Sequence, residues 1–260
     1  MRTLLLFLAS LSAVACAAPP ARAPSLLELR VLSYNVKHGR GNDDRVDLAR
    51  AAERIRNLDP DLVVLQEIDR GVERSGRLDQ MAFLGEQTGL HHRFGAFMRY
   101  QGGHYGMGLL SRYPIVASRN HPLPDGAEPR TALDARVQLP GGEELVLCNV
   151  HLYATEEERL AQARELVALY REETAPMLLA GDFNSEPGSA VMELVEEHWQ
   201  PTDKGEDRMT YSATDPRMEI DFVLFRPADR FEVLSVDVLD EPVVSDHRPV
   251  LAVLRLGADA

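Results

Sequence analysis

The sequence predicts an α/β layered sandwich, in which β-sheets pack against helices. Two observations support this prediction. Many short apolar strand segments share the chain with only a few helical patterns, and several strands follow one another without an intervening helix. The second observation argues against a doubly wound parallel sheet, because each parallel pair needs a crossover connection. With 260 residues, 45% of them hydrophobic, the chain suits one large domain with a substantial core.

The first residues predict export. A short positive start is followed by an apolar run over residues 4–14, which is too short to span a bilayer. Residues 13–16 (AVAC) resemble a bacterial lipoprotein box with Cys16 as the lipid-bearing residue, and cleavage near Cys16 that releases a soluble protein is the alternative. We therefore predict an export signal at residues 1–17, a Pro/Ala-rich tether at residues 18–25 and a folded domain at residues 26–257. The expected location is the bacterial envelope, as a lipoprotein, or the periplasm or medium.

Strand and helix patterns alternate after the tether. Leu27–Val36 predicts a first strand, and Leu62–Leu65 predicts a buried strand that leads into Glu67. Further short strands, separated by Gly or Pro, follow between residues 94 and 152, with a hairpin turn at Gly141–Gly142. The run at residues 177–184 and three segments of the last third are strand-like again. Helical patterns occur at Val46–Leu58, around Met81–Leu90, at Glu156–Glu173 and at Ser189–His198.

Charge and cysteine usage restrict the function classes. The net charge of −13 disfavours a protein that holds nucleic acid by a broad basic surface. Lys37 and Lys204 are the only lysines, whereas six arginines fall between residues 70 and 112, where either a solvated face or a local anion-binding rim accounts for them. Cys148 lies in the apolar run LVLCNVHL, which predicts a buried free thiol rather than a disulfide or zinc site.

Polar residues follow apolar strands at several separate places. Asn35 and Glu67 end two strand-like runs, Asp182 ends a third, and the pair Asp246-His247 precedes the last strand. Each has an ordinary explanation when taken singly, such as a solvated loop acid or an Asx turn. Their joint placement at strand ends instead predicts one shared site for metal or phosphate chemistry.

Seven motifs in one order resemble the endonuclease/exonuclease/phosphatase superfamily of DNase I-like phosphoesterases. The resemblance covers residues 27–256 and implies a four-layer α/β sandwich, with two packed, mostly antiparallel β-sheets flanked by helices. It also implies that residues 26–257 form a divalent-metal-dependent phosphoester hydrolase with its site at the rim of the sandwich. The motifs are SYNV (33–36), QEID (66–69), GMGLLSRYPI (106–115), NVHL (149–152), GDFNSEPGS (181–189), IDFVLF (220–225) and SDHRPV (245–250).

The resemblance implies a group of metal-binding residues. Glu67 would supply a hard oxygen ligand, which suits Mg²⁺ or Mn²⁺. Asn35 carries no charge and would orient Glu67 or a metal-bound water. Asp246 would be a second metal ligand or an electrostatic brace.

The resemblance also implies a catalytic group. Asp182 would align and activate the attacking water, and Asn184 would donate to a phosphate oxygen or to that water. His247 would hydrogen-bond a non-bridging phosphate oxygen, while Asp221 holds its tautomer and favours its charged form. His151 would contact the phosphate from the opposite side.

Two weaker candidates complete the expected phosphate site. Arg130 resembles an arginine that steadies the substrate phosphate, and a structural salt bridge is the alternative. His104 precedes a segment where relatives carry varied residues, often a tyrosine, asparagine or acid. Some relatives have an asparagine after the glycine of that segment, and this chain has Met107 there, which puts a substrate contact in doubt.

Three kinds of substrate stay open: nucleic acid, a phospholipid headgroup and a small phosphodiester. Phe94–Tyr105 offers apolar side chains for a lipid surface, although core strand residues are the alternative, and His198–Asp215 is a candidate specificity loop. A non-catalytic binding scaffold is disfavoured because the acids and the final histidine are all present. We expect a monomer.

Overall fold

Two six-stranded β-sheets form the centre of the molecule. The computed structural model describes residues 26–257, so the predicted export signal, the tether and Cys16 lie outside the described residues. The strands in chain order are β1 (Leu27–Asn35), β2 (Leu62–Arg70), β3 (His91–Tyr100), β4 (Gly103–Ser111), β5 (Ile115–Pro122), β6 (Thr131–Gln138), β7 (Glu144–His151), β8 (Met177–Asp182), β9 (Gln200–Pro201), β10 (Asp221–Arg226), β11 (Phe231–Val238) and β12 (Val250–Leu256).

The strand order gives each sheet a mixed but mostly antiparallel character. The first sheet has the order β11-β12-β1-β2-β4-β3, and the second has the order β5-β6-β7-β8-β10-β9. β1 pairs with β2 and β7 pairs with β8 in parallel, whereas the other pairs of these sheets are antiparallel. The predicted hairpin turn connects β6 and β7, where Gly141 and Gly142 have φ values of +104° and +95° that favour glycine.

The helices begin at side-chain caps that the sequence supplies. Asp47, Asp79, Thr155 and Ser189 each accept a hydrogen bond from a backbone N–H of the first helical turn, which satisfies a donor that the helix itself leaves unpaired. Within residues 26–257, none of the helices is both long and apolar enough to cross a bilayer. The α-helices are α1 (Leu48–Leu58), α2 (Gln80–Thr88), α3 (Glu156–Leu169) and α4 (Ala190–Glu196).

Three apolar clusters separate four layers. One lies between the two sheets and joins side chains such as Val31 and Val64 of the first sheet to Leu147 and Leu178 of the second. Another packs α1 and α2 on the outer face of the first sheet, and the third packs α3 and α4 on the outer face of the second. The predicted four-layer sandwich with two mostly antiparallel sheets is therefore confirmed. Cys148 is a buried free thiol within the third cluster, as predicted.

The sheet registers bring the predicted polar residues to one edge. β7 and β8 run in parallel and pair His151 with Asp182 at their carboxyl ends. β10 runs antiparallel to β8, so its first residue, Asp221, also pairs with Asp182. In the other sheet, β1 ends at Asn35, which pairs in parallel with Gln66 of β2, so Glu67 is the next residue on β2, which continues to Arg70. The two sheets stack, and these strand ends meet at the same rim.

Candidate active site

An open cavity of about 420 Å³ lies at this rim. Most of the predicted site residues line it, and they come from both sheets and from the loop before β12. Asn35 and Asp221 lie buried beside it and contact the lining residues. The predicted residues that line the cavity are Glu67, Arg130, His151, Asp182, Asn184, Asp246 and His247.

A β-bulge presents Glu67 to the cavity. The register between β2 and β4 shifts between Leu65 and Ile68, and Glu67 has a φ of +60°, which a non-glycine residue rarely adopts. Just before the bulge, the buried Gln66 donates from Nε2 to Oδ1 of Asn149 on β7 over 2.7 Å. This hydrogen bond ties the two sheets together directly beneath the site. The strained backbone at Glu67 is therefore held by its surroundings, as is common at functional positions.

Asn35 connects the acids of the two sheets. Its Nδ2 donates to Oε1 of Glu67 over 3.2 Å and to Oδ2 of Asp182 over 3.1 Å, while its Oδ1 accepts from the backbone N–H of Lys37 over 3.1 Å. Asn35 is fully buried. Its amide nitrogen faces the carboxylates of Glu67 and Asp182, which is the geometry that its predicted orienting role requires.

Asp182 lies at the centre of the site and is almost fully buried. Its Oδ1 accepts from the backbone N–H of Asn184 over 2.9 Å. The preceding Gly181 has a φ of +144°, and a Cβ there would lie 2.0 Å from the carbonyl oxygen of Val150. Only glycine permits this close approach, which brings Asp182 beside His151. Burial and then the charge of Asp221 raise the pKa of Asp182 above its ordinary value.

The two histidines beside Asp182 differ in protonation. Nε2 of His151 lies 3.5 Å and Nε2 of His247 lies 3.7 Å from Oδ2 of Asp182. Burial, followed by the charge of Arg130, lowers the pKa of His151 and keeps its imidazole neutral. Burial also opposes charge on His247, but Asp221 at 2.9 Å from Nδ1 and then Asp182 outweigh it and raise the pKa of His247. An imidazolium and a neutral imidazole therefore flank one carboxyl group.

Asn184 and Asp246 complete the polar floor. Nδ2 of Asn184 donates to the carbonyl oxygen of Leu152 over 2.9 Å, which fixes the direction of its amide at the cavity wall. Asn184 has a φ of +48°. Oδ2 of Asp246 lies 2.6 Å from Nζ of Lys37, so this acid already has a cationic partner.

Arg130 is a buried cation in the cavity wall. Its Nη2 lies 2.8 Å from Oε2 of Glu128, and its guanidinium packs against the rings of Phe97 and Tyr153 at 4.5 Å and 4.6 Å from their centroids. Its Nε and Nη1 have no hydrogen-bond partner among the described residues, although Arg130 is only 3% exposed. Buried donors of this kind usually bind something, so they favour an anionic ligand in the cavity. The salt bridge that was the alternative to phosphate binding is also present.

The prediction that His104 contacts the substrate phosphate is not supported by the structure. His104 is on β4 but is not among the residues that line the cavity, and the next residue, Tyr105, is. Successive side chains of a strand point to opposite faces of the sheet, so only one of these two neighbours can face the site. Tyr105 was missed because aromatic residues in strands are ordinarily core residues.

Other cavity residues also escaped the sequence motifs. Arg74 pairs with Asp69 at 2.9 Å and packs on the rings of Tyr100 and Tyr105. In the segment considered for lipid contact, Met98 and Tyr100 line the cavity, whereas Phe97 is buried beneath Arg130. The segment proposed as a specificity loop contributes Tyr211, while its Trp199 is 1% exposed and belongs to the outer core. In the sequence, the only indication of Tyr100 and Tyr211 was the enrichment of their segments in aromatic residues.

The donor set fits a hard divalent cation. Glu67 offers carboxylate oxygens to an open cavity, in which Mg²⁺ could keep several of its waters. Burial raises the pKa of Glu67, but the neighbouring His38 and the hydrogen bond from Asn35 outweigh that effect and lower it, so the carboxylate stays ionised. Deeper in the site, ligand-type atoms of Asp182, Asp221 and His247 lie within 4.8 Å of one another. His247 and Asp221 of this group are hydrogen-bonded to each other, and Oδ2 of Asp182 lies 3.7 Å from Nε2 of His247.

The sequence matches the profile of the endonuclease/exonuclease/phosphatase family over residues 32–247. The chain belongs to this family. Family members are generally hydrolases that act on phosphoesters and generally depend on divalent metals. The uncharacterized protein YbhP of Escherichia coli K12 is 28% identical over 244 residues, which covers 87% of this chain and 96% of YbhP. The resemblance of the seven motifs is thereby confirmed at the level of the family.

Solved structures of the family share this fold. An endonuclease/exonuclease/phosphatase from Beutenbergia cavernae has 26% identity and a TM-score of 0.73, with 89% of this chain and 72% of that chain covered. A mannosyl-6-phosphatase from Bacteroides thetaiotaomicron has 19% identity and a TM-score of 0.68, with 87% of this chain and 99% of that chain covered. The second similarity shows the fold alone.

Proposed function

We propose that this protein is an exported, divalent-metal-dependent phosphoester hydrolase. The observation that carries the proposal is the arrangement around Asp182: an oriented carboxyl group with an imidazolium on one side and the carboxylate of Glu67 connected to it through Asn35. A packed core does not require buried acids and histidines in such close contact, since each costs desolvation. Family membership supports the same reaction class.

Glu67 is the proposed ligand of Mg²⁺ or Mn²⁺, with Asn35 fixing the orientation of its carboxylate. When bound, the ion supplies positive charge that polarises the phosphoryl group. The protein's own contribution is to keep Glu67 ionised and aimed into the cavity by the bulge in β2. Hydrogen-bonded support of this kind typically changes metal affinity or activity by ~10–100-fold when it is removed.

Asp182 is the proposed general base for the attacking water. Asn35 and the backbone N–H of Asn184 hold its two oxygens, so the carboxylate has one direction relative to the cavity. A raised pKa makes a carboxylate a better proton acceptor, provided that it is ionised at the working pH. The Asn184 amide at the same wall is the proposed donor to a phosphate oxygen or to that water.

His247 is the proposed donor to a non-bridging phosphate oxygen. Nδ1–H donates to Asp221, and because the raised pKa favours the protonated ring, Nε2 also carries a hydrogen at the edge of the cavity. The charge of the imidazolium stabilises negative charge that develops on the phosphoryl group. His151, neutral and on the other side of Asp182, and the free Nε and Nη1 of Arg130 are further proposed phosphate contacts.

The cavity supports a compact substrate over an extended polyanion. Apolar and aromatic side chains form much of its wall, and Tyr153 and Met218 are both 38% exposed. Binding of duplex DNA would need cations that neutralise several phosphates, whereas Arg74, Arg130 and Lys37 are each paired with a carboxylate. We infer that small phosphodiesters or phosphomonoesters fit best, with phospholipid headgroups and nucleic acid as the competing substrates.

A substrate panel tests this proposal. Purified protein with Mg²⁺ or Mn²⁺ is assayed on bis-(nitrophenyl) phosphate, a sugar 6-phosphate, sphingomyelin and phosphoinositide vesicles, and plasmid DNA. We expect the small esters to have the highest kcat/KM and the plasmid the lowest. If vesicle lipid or plasmid is cleaved with the highest kcat/KM, the inference of a compact substrate is wrong. If none of these phosphoesters is hydrolysed, the proposed activity is contradicted.

Arg130→Met is expected to weaken substrate binding. Methionine keeps packing volume between Phe97 and Tyr153 but removes the charge and the free donors. A hydrogen bond to a charged group contributes roughly 1.5–3 kcal/mol, so kcat/KM should fall by roughly 10–150-fold, mainly through KM. The exposed Arg99→Met serves as the matched control and should keep wild-type kinetics. If the two variants have equal kinetics, Arg130 does not bind substrate, and its salt bridge to Glu128 is its only role.

Export and lipid attachment at Cys16 are proposed from the sequence. Residues 1–17 would be the signal, residues 18–25 the tether, and the domain would act as a monomer at the envelope. Mass spectrometry of the mature protein from an expressing bacterium tests this: a diacylglyceryl group on an N-terminal Cys16 is the expected result. A mature chain that begins at residue 17 or 18 would show release instead of anchoring.

A further inference from the structure

The carboxylates in the cavity differ in how they are paired. Glu67, Glu128, Asp182 and Asp246 line it. Three of these acids have a cationic partner. Nη2 of Arg130 lies 2.8 Å from Oε2 of Glu128, and Nζ of Lys37 lies 2.6 Å from Oδ2 of Asp246. Nε2 of His247 lies 3.7 Å from Oδ2 of Asp182. Glu67 accepts a hydrogen bond from the uncharged Asn35, and Nδ1 of His38 lies 3.8 Å from its Oε2, beyond hydrogen-bond distance. Glu67 is therefore the lining acid that remains available to a cation from solution.

The backbone holds Lys37 in place beside Asp246. Lys37 begins a short 3₁₀ turn and has a φ of +45°, and its N–H donates to Oδ1 of Asn35. On the other side of the pair, Oγ of Ser245 donates to the carbonyl oxygen of Asn35 over 2.7 Å. Lys37 and Ser245, the residue before Asp246, are thus both hydrogen-bonded to Asn35, the residue that orients Glu67 and Asp182. A freely moving surface lysine would not have such support.

We propose that Lys37 is a built-in cation that occupies Oδ2 of Asp246 and restricts the site to a single divalent ion at Glu67. This inference rests on the proposed metal dependence. An ammonium so close to Asp246 neutralises the carboxylate and repels a second cation. In this proposal Asp246 has the second of its two predicted roles, an electrostatic brace, here for Lys37 and for the SDH loop (residues 245–247). Lys37 is a positioning residue, since it does not line the cavity.

The stoichiometry of Mn²⁺ binding tests this inference without an activity assay. Free Mn²⁺ is measured by electron paramagnetic resonance during titration of the purified wild-type protein and of Lys37→Met, Lys37→Arg, Asp246→Asn and Glu67→Gln. Circular dichroism and thermal melting confirm that each variant is folded. Lys37→Arg is the matched control because it keeps the positive charge next to Asp246.

We expect one Mn²⁺ per wild-type chain, the same stoichiometry in Lys37→Arg and Asp246→Asn, and strong loss of that ion in Glu67→Gln. Lys37→Met leaves Asp246 without its cation and should gain a second, weaker ion. Two ions on the wild type, loss of an ion in Asp246→Asn, or a single ion on Lys37→Met would each overturn the inference. A wild-type chain that binds no Mn²⁺ would instead contradict the proposed metal dependence itself.

Discussion

An Asp182→Asn variant is expected to lose nearly all phosphoester turnover while it keeps its fold. Asparagine has nearly the same shape but cannot accept a proton from water, and general base catalysis contributes ~10²–10⁴-fold to rate. Burial and then Asp221 raise the pKa of Asp182, which means that the ionised carboxylate is unfavourable in the folded state. The neutral amide removes that cost, but its NH2 group must face either the amide of Asn35 or the N–H of Asn184, and the charge beside His247 is lost. We therefore expect a folded variant with a melting temperature close to or somewhat below the wild-type value. Steady-state kinetics and thermal melting measure the two effects.

Asp237→Asn is the matched control for this variant. Asp237 is exposed on β11, outside the cavity lining, and its replacement should leave both turnover and melting unchanged. Turnover of Asp182→Asn within a few-fold of this control would exclude Asp182 as the base. Loss of turnover together with loss of the cooperative melting transition would instead assign Asp182 a structural role.

A Glu67→Gln variant is expected to lose divalent-metal affinity and, with it, turnover. The side chain keeps its shape and its neighbour Asn35, but it loses the charge that attracts a hard cation. Removal of one electrostatic contribution in an active site typically costs ~10²–10³ in rate, and we expect a fall of at least that size at subsaturating Mg²⁺. The measurement is kcat/KM across a Mg²⁺ titration, together with the dissociation constant for Mn²⁺.

The control for Glu67 is Glu73→Gln. Glu73 is an exposed acid paired loosely with Arg77 at 3.5 Å, so its loss removes the same charge without touching the cavity. A Mg²⁺ dependence of Glu67→Gln that matches this control would show that Glu67 is not the ligand. Partial recovery of Glu67→Gln turnover at high Mg²⁺ is the expected signature of weakened binding.

Acids that follow apolar runs made the fold and the principal site residues predictable from the sequence. Asp182 ends the buried strand β8, as expected, whereas β2 continues past Glu67 to Arg70 and presents it at the rim through a bulge. Helix positions were also predictable, because apolar periodicity and capping residues act locally. The predicted helix at Val46–Leu58 begins two residues later, at Leu48, since Asp47 is its N-cap.

Tertiary partners of the site were not predictable in the same way. Lys37 and Asp246 are far apart in the sequence, so their ion pair depends on how the SDH loop returns to the end of β1. The choice between His104 and Tyr105 depends on strand phase relative to the core, which neighbouring residues in this Gly-rich strand do not specify. The Gln66–Asn149 hydrogen bond likewise joins two separate sheets.

The most direct measurement is phosphodiester turnover by the purified wild-type protein after removal of divalent ions. The protein is dialysed against EDTA, then against chelator-free buffer, and assayed on bis-(nitrophenyl) phosphate before and after addition of Mg²⁺ or Mn²⁺. We expect no turnover in the metal-free protein, recovery on addition of either ion, and no recovery in Asp182→Asn. Turnover that persists at the wild-type rate in EDTA would contradict a metal-dependent phosphoester hydrolase.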